Sequence, residues 1–309
     1  MGRHGDVTVT AEALDIVATG LRFPEGPVMM PDGSVIVVEI AGGGLSRVRS
    51  DGSVEEVARC GGGPNGAALG PDGMLYVCNN GGQPFLAAGD KLLLADVTQD
   101  DGYEGGSIQR VDPADGSVEV LYRQCAGRPL RSPNDLVFDD HGGFWFTDTG
   151  KARARDRDWG GVYYALADGS AIREVIFPLD FPNGIGFSGD GEHLLVTETV
   201  AGRLWSWPVT GRGMVSARGR RLIAGLQGYQ LLDSLAVDAE GNVCIGTLVT
   251  GGITVVTPAG DLTFLPLPDP LVTNLCFGGE DRSTAYVTLS ATGRLARVPW
   301  PPHGLRRSS

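Results

Sequence analysis

The sequence holds no apolar run approaching the roughly 18 residues of a membrane-crossing helix, so no membrane partner is expected. Its opening, MGRHGDVTVTAEALDIV, lacks the apolar segment of a secretory signal, and a cytoplasmic location is expected. Cysteine is sparse and unpatterned. Cys60, Cys78, Cys125, Cys244 and Cys276 are odd in number, widely spaced and without a C-x-x-C pair, which points to reduced, mostly buried thiols. His4, His141, His193 and His303 stand at no metal-ligand spacing, and His141 and His193 fall in expected solvated turns. Basic residues are outnumbered 25 to 37, giving a net charge of -12 that argues against nucleic acid. No G-x-S-x-G elbow occurs, since GFSGDG misses it by one residue, and there is no Walker loop. The stretch GGGPNG (61–66) fits G-x-G-x-x-G formally, but a strand follows where a helix is required. The cluster KARARDRD (151–158) alternates basic and acidic residues like a solvated loop, although its position could bring Lys151 or Arg153 to a channel mouth.

Glycine, by contrast, is abundant at 48 residues without a collagen period, as expected of many tight turns between short strands. One phrase recurs six times: PEGPVMMPDGSVIVVE, PNGAALGPDGMLYVCN, PNDLVFDDHGGFWFTD, PNGIGFSGDGEHLLVTE, LDSLAVDAEGNVCIGT and VTNLCFGGEDRSTAYVT. Each opens on a polar anchor and a short apolar strand. Most then turn at a D-G or G-D type step and return as a strand rich in β-branched and aromatic residues. A glycine-bearing link to a third strand follows, and a fourth strand is legible after most of these. Four strands per unit of about 50 residues is the pattern of a β-propeller blade. The expectation is an all-β chain, residues 1–309 forming a single six-bladed propeller around a central channel. Residues 7–19 would supply the strand that closes the ring, and 301–309 a tail. The interval between the second and third anchors is the longest. Its excess, residues 80–106, would overlie one end of the channel as a lid or pocket wall.

The anchors are Glu25, Asn65, Asn134, Asn183, Asp233 and Asn274. Each begins the innermost strand of its unit, so all six should converge at one mouth of the channel. A single P-N-G would be explained by turn chemistry. Six in phase, one of them a glutamate, would not. Carboxylates and amide oxygens without His or Cys form a hard donor set suited to Ca²⁺, with Mg²⁺ or Mn²⁺ as alternatives. Glu25, Asn183 and Asp233 are the expected direct ligands, with Asn134 either a fourth or a donor to substrate.

The phrases FPEGP, SPNDLVFDDHGGFWFTDTG, FPNGIGFSGDGEHLLVTET and DSLAVDAEGNVCIGT resemble those of the senescence marker protein/gluconolactonase/luciferin-regenerating-enzyme family over nearly the whole chain. That resemblance implies a six-bladed propeller that hydrolyses lactones with one divalent cation, usually Ca²⁺ or Zn²⁺. Its metal ligands would fall on Glu25, Asn183 and Asp233, and its substrate asparagine on Asn134, with Asp135 beside it. Some sugar lactonases of the family carry an arginine two residues before that asparagine. Here Ser132 stands there and Arg131 one step back, which puts a sugar lactone in doubt. The expected chemistry is attack on the lactone carbonyl by activated water. Asp233 would be the general base, with Asp135 as the alternative, while Asn134, Asn65 and Arg131 would contact the substrate. A phosphoester hydrolase like the related diisopropylfluorophosphatases, or a non-catalytic calcium-stabilised binding propeller, are the alternative functions. The partner is a small-molecule lactone, and the chain is expected to be a monomer or weak homo-oligomer.

Overall fold

A computed structural model describes residues 14–99, 102–279 and 282–300. They form six antiparallel sheets arranged as the blades of a propeller, each running from an inner strand at the axis to an outer strand. Blade one is Pro24–Met29, Val35–Glu39, Gly44–Val48 and Val54–Arg59. Blade two is Pro64–Leu69, Leu75–Asn79, Ser107–Val111 and Val118–Tyr122. Blade three is Pro133–Phe138, Gly143–Asp148, Gly160–Leu166 and Ile172–Leu179. Blade four is Pro182–Phe187, His193–Glu198, Arg203–Gly211 and Arg221–Gly225, with the short Met214–Val215 also paired to its third strand. Blade five is Leu231–Val237, Val243–Leu248, Gly252–Val256 and Leu262–Pro266. Blade six is Val272–Gly278, Thr284–Leu289 and Arg294–Pro299, with Asp15–Ala18 as its outer strand. Residues 7–13 of the expected closing strand, and the expected tail, lie outside the described residues. The one helical element among the described residues is a 3₁₀ turn, Ala217–Gly219.

The sheets pack face to face, and the apolar positions of each strand interdigitate with those of the next blade. Blades two and three share a cluster of Tyr76, Ile108, Leu136, Phe144 and Phe146. Blades three and four share Trp145, Val162, Ile185, Val196 and Trp207. The middle strands are buried on both faces, as in Leu75–Asn79 and Val243–Leu248, and therefore read as continuous apolar runs. The outer strands are largely exposed to solvent, as in Val54–Arg59. His193 opens a strand and is half-buried, which corrects the expected solvated turn; the carbonyl of this residue accepts from Ser188 N. His141 lies in an exposed turn. All five cysteines are free, three of them buried.

One irregularity recurs in every blade. The register between first and second strands slips immediately around the anchor: at Glu25/Val28, Pro64/Ala67, Pro133/Leu136, Pro182/Ile185, Leu232/Leu235 and Val272/Leu275. A bulge at that point bends the strand and re-aims the side chain beside it. The anchors thus sit inside strands, at bulges, and not in turns. The glycine that follows has a different cause. A Cβ on Gly66 would lie 2.7 Å from Asp135 Cα and closer still to the Asn134 carbonyl. One on Gly184 would lie 2.8 Å from the Asp233 carbonyl. Adjacent inner strands approach so closely at the axis that a side chain there has no room.

Candidate functional site

The inner strands carry their anchors to one cavity of about 790 Å³ at the channel mouth. Glu25, Asn65, Asn134, Asn183 and Asp233 line it, and all five are nearly inaccessible. Asn274, the sixth anchor, reaches the ring from the other side: its Nδ2 donates to Glu25 Oε2 at 2.8 Å. A second cavity, about 320 Å³, lies further along the inner strands and is lined by Asp135 and Asn274. Blade-to-blade bonds hold the anchor backbones in place. Thr147 Oγ1 donates to the Asn183 carbonyl (2.6 Å) and Thr197 Oγ1 to the Asp233 carbonyl (2.8 Å).

The electrostatics of this ring are unfavourable as the protein alone supplies them. Glu25 is wholly buried, and desolvation pushes its carboxyl up to about 7, against the opposing bonds from Asn274 and Gly26. Burial also holds Asp233 well above the ordinary carboxylate range, and the Glu25 charge adds to the shift, while the Asn183 amide opposes it. Asp135 is raised for the same two reasons, burial first and then Glu25, although Ile185 N and Leu136 N both donate to it. Buried polar atoms normally find partners. Here Glu25 Oε1 and Asn134 Oδ1 have none among the described residues; the Ser234 and Thr273 hydroxyls lie near Glu25 without reaching Oε1 in bonding geometry. Asn183 Oδ1 accepts a long bond, 3.3 Å, from Ser234 Oγ. Two raised carboxyls, one of them raised in part by the other, and orphaned amide and carboxylate oxygens facing one cavity are the donor chemistry of a hard divalent cation. No group of three or more His, Cys, Asp or Glu gathers as a metal site among the described residues, so a cation here would lean on the asparagines.

Three other expected residues are placed differently from the ring. Arg131 does not line the cavity. Its guanidinium bonds Asp158 Oδ2 (2.9 Å) and Gln99 (3.2 Å) and lies over the Tyr103 ring, while Ser132 beside it does face the cavity. Lys151 is fully buried, its Nζ donating to the Gly82 carbonyl at 2.7 Å. Arg153 lines the cavity.

Sequence reasoning missed one feature and left a second undecided between a lid and a pocket wall. The first is the residue that ends the second strand of blades one to four. Glu39, Asn79, Asp148 and Glu198 each accept backbone N–H groups from the segment entering their own inner strand. Asp148 clasps both Arg131 N and Ser132 N, at 2.7 Å each. The signal was the polar residue closing each of those four phrases. The second is the reach of residues 80–106. A hairpin, Phe85–Ala88 with Lys91–Leu94, lies between the second and third strands of blade two. It is tied to blade six by Leu92 N to the Ala291 carbonyl, and to Phe23 by a ring contact with Phe85 at 4.7 Å. Thr98 then exchanges two bonds with Ala152 of blade three's loop. Gln83, Leu93, Leu94, Ala95, Asp96 and Thr98 thereby become cavity wall.

Known proteins align with this chain across nearly its whole length. A gluconolactonase of Zymomonas mobilis is 24% identical over 92% of this chain and 80% of its own. Lactonase drp35 of Staphylococcus saprophyticus is 29% identical over 93% of this chain and 82% of its own. Among solved structures, a gluconolactonase of Xanthomonas campestris superposes with a TM-score of 0.75 at 24% identity, covering 96% of this chain and 95% of that one. The family model described as SMP-30/gluconolactonase/LRE-like region matches residues 23–291, and the chain belongs to that family.

Proposed function

We propose that this protein is a lactonase that depends on one divalent cation, Ca²⁺ before Zn²⁺, Mg²⁺ or Mn²⁺, held by Glu25, Asn183 and Asp233 with Asn134 beside them. The observation that carries the reading is the orphaned Glu25 Oε1, buried against a second raised carboxyl at the floor of a substrate-sized cavity. A bound cation would supply Lewis acidity toward the lactone carbonyl. Asn274 holds Glu25 by one oxygen and leaves the other turned to the cavity. Asn65 and Asn134 offer amide N–H groups to the lactone oxygens, and their burial excludes bulk water from the reacting carbonyl. Asp233 takes the proton of the attacking water. Addition of that water opens the ring C–O bond, and the proton held by Asp233 passes to the departing ring oxygen, giving a hydroxy acid. Asp135 serves this scheme less well, because its carboxyl faces the second cavity and accepts from backbone N–H groups on both oxygens.

Lactone hydrolysis by chelated protein, reconstituted one metal at a time, tests this. Asp233→Asn and Glu25→Gln should each lower kcat/KM by about a hundredfold or more while the β-sheet circular dichroism is retained. Parental rates in both variants, with chelator present, would sink the proposal.

A further inference from the structure

The cavity above the anchors has two unlike banks. One is built by blades five, six and one together with the inserted hairpin. Phe23, Ile40, Leu94, Leu231, Leu248 and Leu271 line it, and none of these side chains can donate or accept a hydrogen bond. Phe23, Ile40 and Leu248 are held rigidly by burial. The hairpin packs Leu94 against the cluster that contains Phe23 and Ile40, so the bank is one continuous surface. The opposite bank is the loop after blade three's second strand. Two of its three cavity-lining guanidiniums are already engaged, Arg153 with Asp156 and Asp158 and Arg157 with Asp180, and Arg155 is the third. A polyhydroxylated ring laid on the first bank would lose its water without gaining partners for its hydroxyls, which is costly. A hydrocarbon arm there would be favoured by each methylene it buries.

We infer that the lactone opened at this site carries an apolar substituent, an alkyl or aryl arm on the ring, seated on the Phe23–Leu94–Leu271 bank. The inference deepens the lactonase reading and rests on it for the identity of the reacting group. The opening step is the same hydrolysis, water adding to the carbonyl as the ring C–O bond breaks, with the arm untouched.

The test compares δ-lactones bearing arms from methyl to hexyl with glucono-δ-lactone on the cation-loaded protein. kcat/KM should rise roughly threefold per added methylene through butyl, and should exceed that for gluconolactone by about tenfold or more. Leu271→Asn should flatten that slope. Calorimetric binding of the matching lactams, which resist hydrolysis, separates the two readings. Affinity that grows with the arm in the absence of turnover sinks the lactonase reading and keeps the apolar bank. Turnover and binding indifferent to the arm, or a preference for gluconolactone, overturns the inference alone. No binding and no turnover overturns both.

Discussion

A buried carboxylate oxygen without a donor is costly, and Glu25 Oε1 is one. The protein offsets part of the cost through Asn274 and Gly26 on the other oxygen, and the rest appears as a raised affinity for protons. Glutamate titrates near 4.5 in the unfolded chain and about 7 in the folded one. Between those values the cation-free folded chain holds a proton that the unfolded chain has released. Stability therefore declines as pH rises through that window, by about 3 kcal/mol in all. Asp233 shifts in the same direction and adds to the decline. The measurement is denaturant unfolding of chelated wild type and Glu25→Gln from about pH 4 to pH 8. The wild type should lose stability relative to the variant across the window, and saturating divalent cation should abolish that loss. A stability difference independent of pH would show that Glu25 keeps its ordinary titration and would remove the electrostatic case for a cation.

At the scale of the strand, the anchors depend on a close approach between neighbours. Gly66 has no room for a methyl group because the inner strand of blade three runs against it, with Asp135 Cα 2.7 Å from where a Cβ would stand. Gly66→Ala should therefore cost about 2–4 kcal/mol in urea unfolding, since the obstacle is backbone and cannot rotate aside. Gly225→Ala is the control: its Cβ would meet nothing within 4 Å, and its stability should change by about 0.5 kcal/mol or less. Equal costs at the two positions would contradict the axial crowding. These strands also show what the sequence could reveal. The six-bladed fold was legible because each blade repeats one apolar pattern, and FPEGP, SPNDLV and FPNGIG mark the inner strands without alignment of their interiors. The bulges were not legible. Asn before Gly encodes a turn as readily as a crowded strand, and only the neighbouring blade decides between them. The clasps by Asp148 and Glu198 were hidden for a related reason, since their partners are backbone groups that carry no sequence signature. Arg131 looked available for substrate because Asp158, which holds it, lies 27 positions away in the chain.

For the whole molecule, closure of the ring is what turns six marginal sheets into one unit. Blade six takes three strands from residues 272–299 and its outer strand, Asp15–Ala18, from the far end of the chain. The ion pair between Arg297 and Asp15 across this seam is half-exposed and contributes little. The stronger bond is apolar: Leu14 and Ile16 pack on the cluster of Leu275, Val287 and Val298 that blade five completes through Cys244, Ile253 and Val255. On the other side, Leu295 of blade six shares a cluster with Val35 and Val37 of blade one. Weakening the seam should thus be felt in blades one and five, because each shares its core with blade six. Ile16→Pro puts a residue without an N–H into the closing strand and removes the apolar side chain, and should lower the melting midpoint by about 5 °C or more. Native-state hydrogen exchange gives the sharper result. Protection should fall together in Val35–Glu39, Val243–Leu248 and Thr284–Leu289, the buried second strands of three successive blades. If exchange quickened in the closing strand and its partner Arg294–Pro299 alone, the seam would be a local flap, and the convergence of the anchors would owe nothing to ring closure.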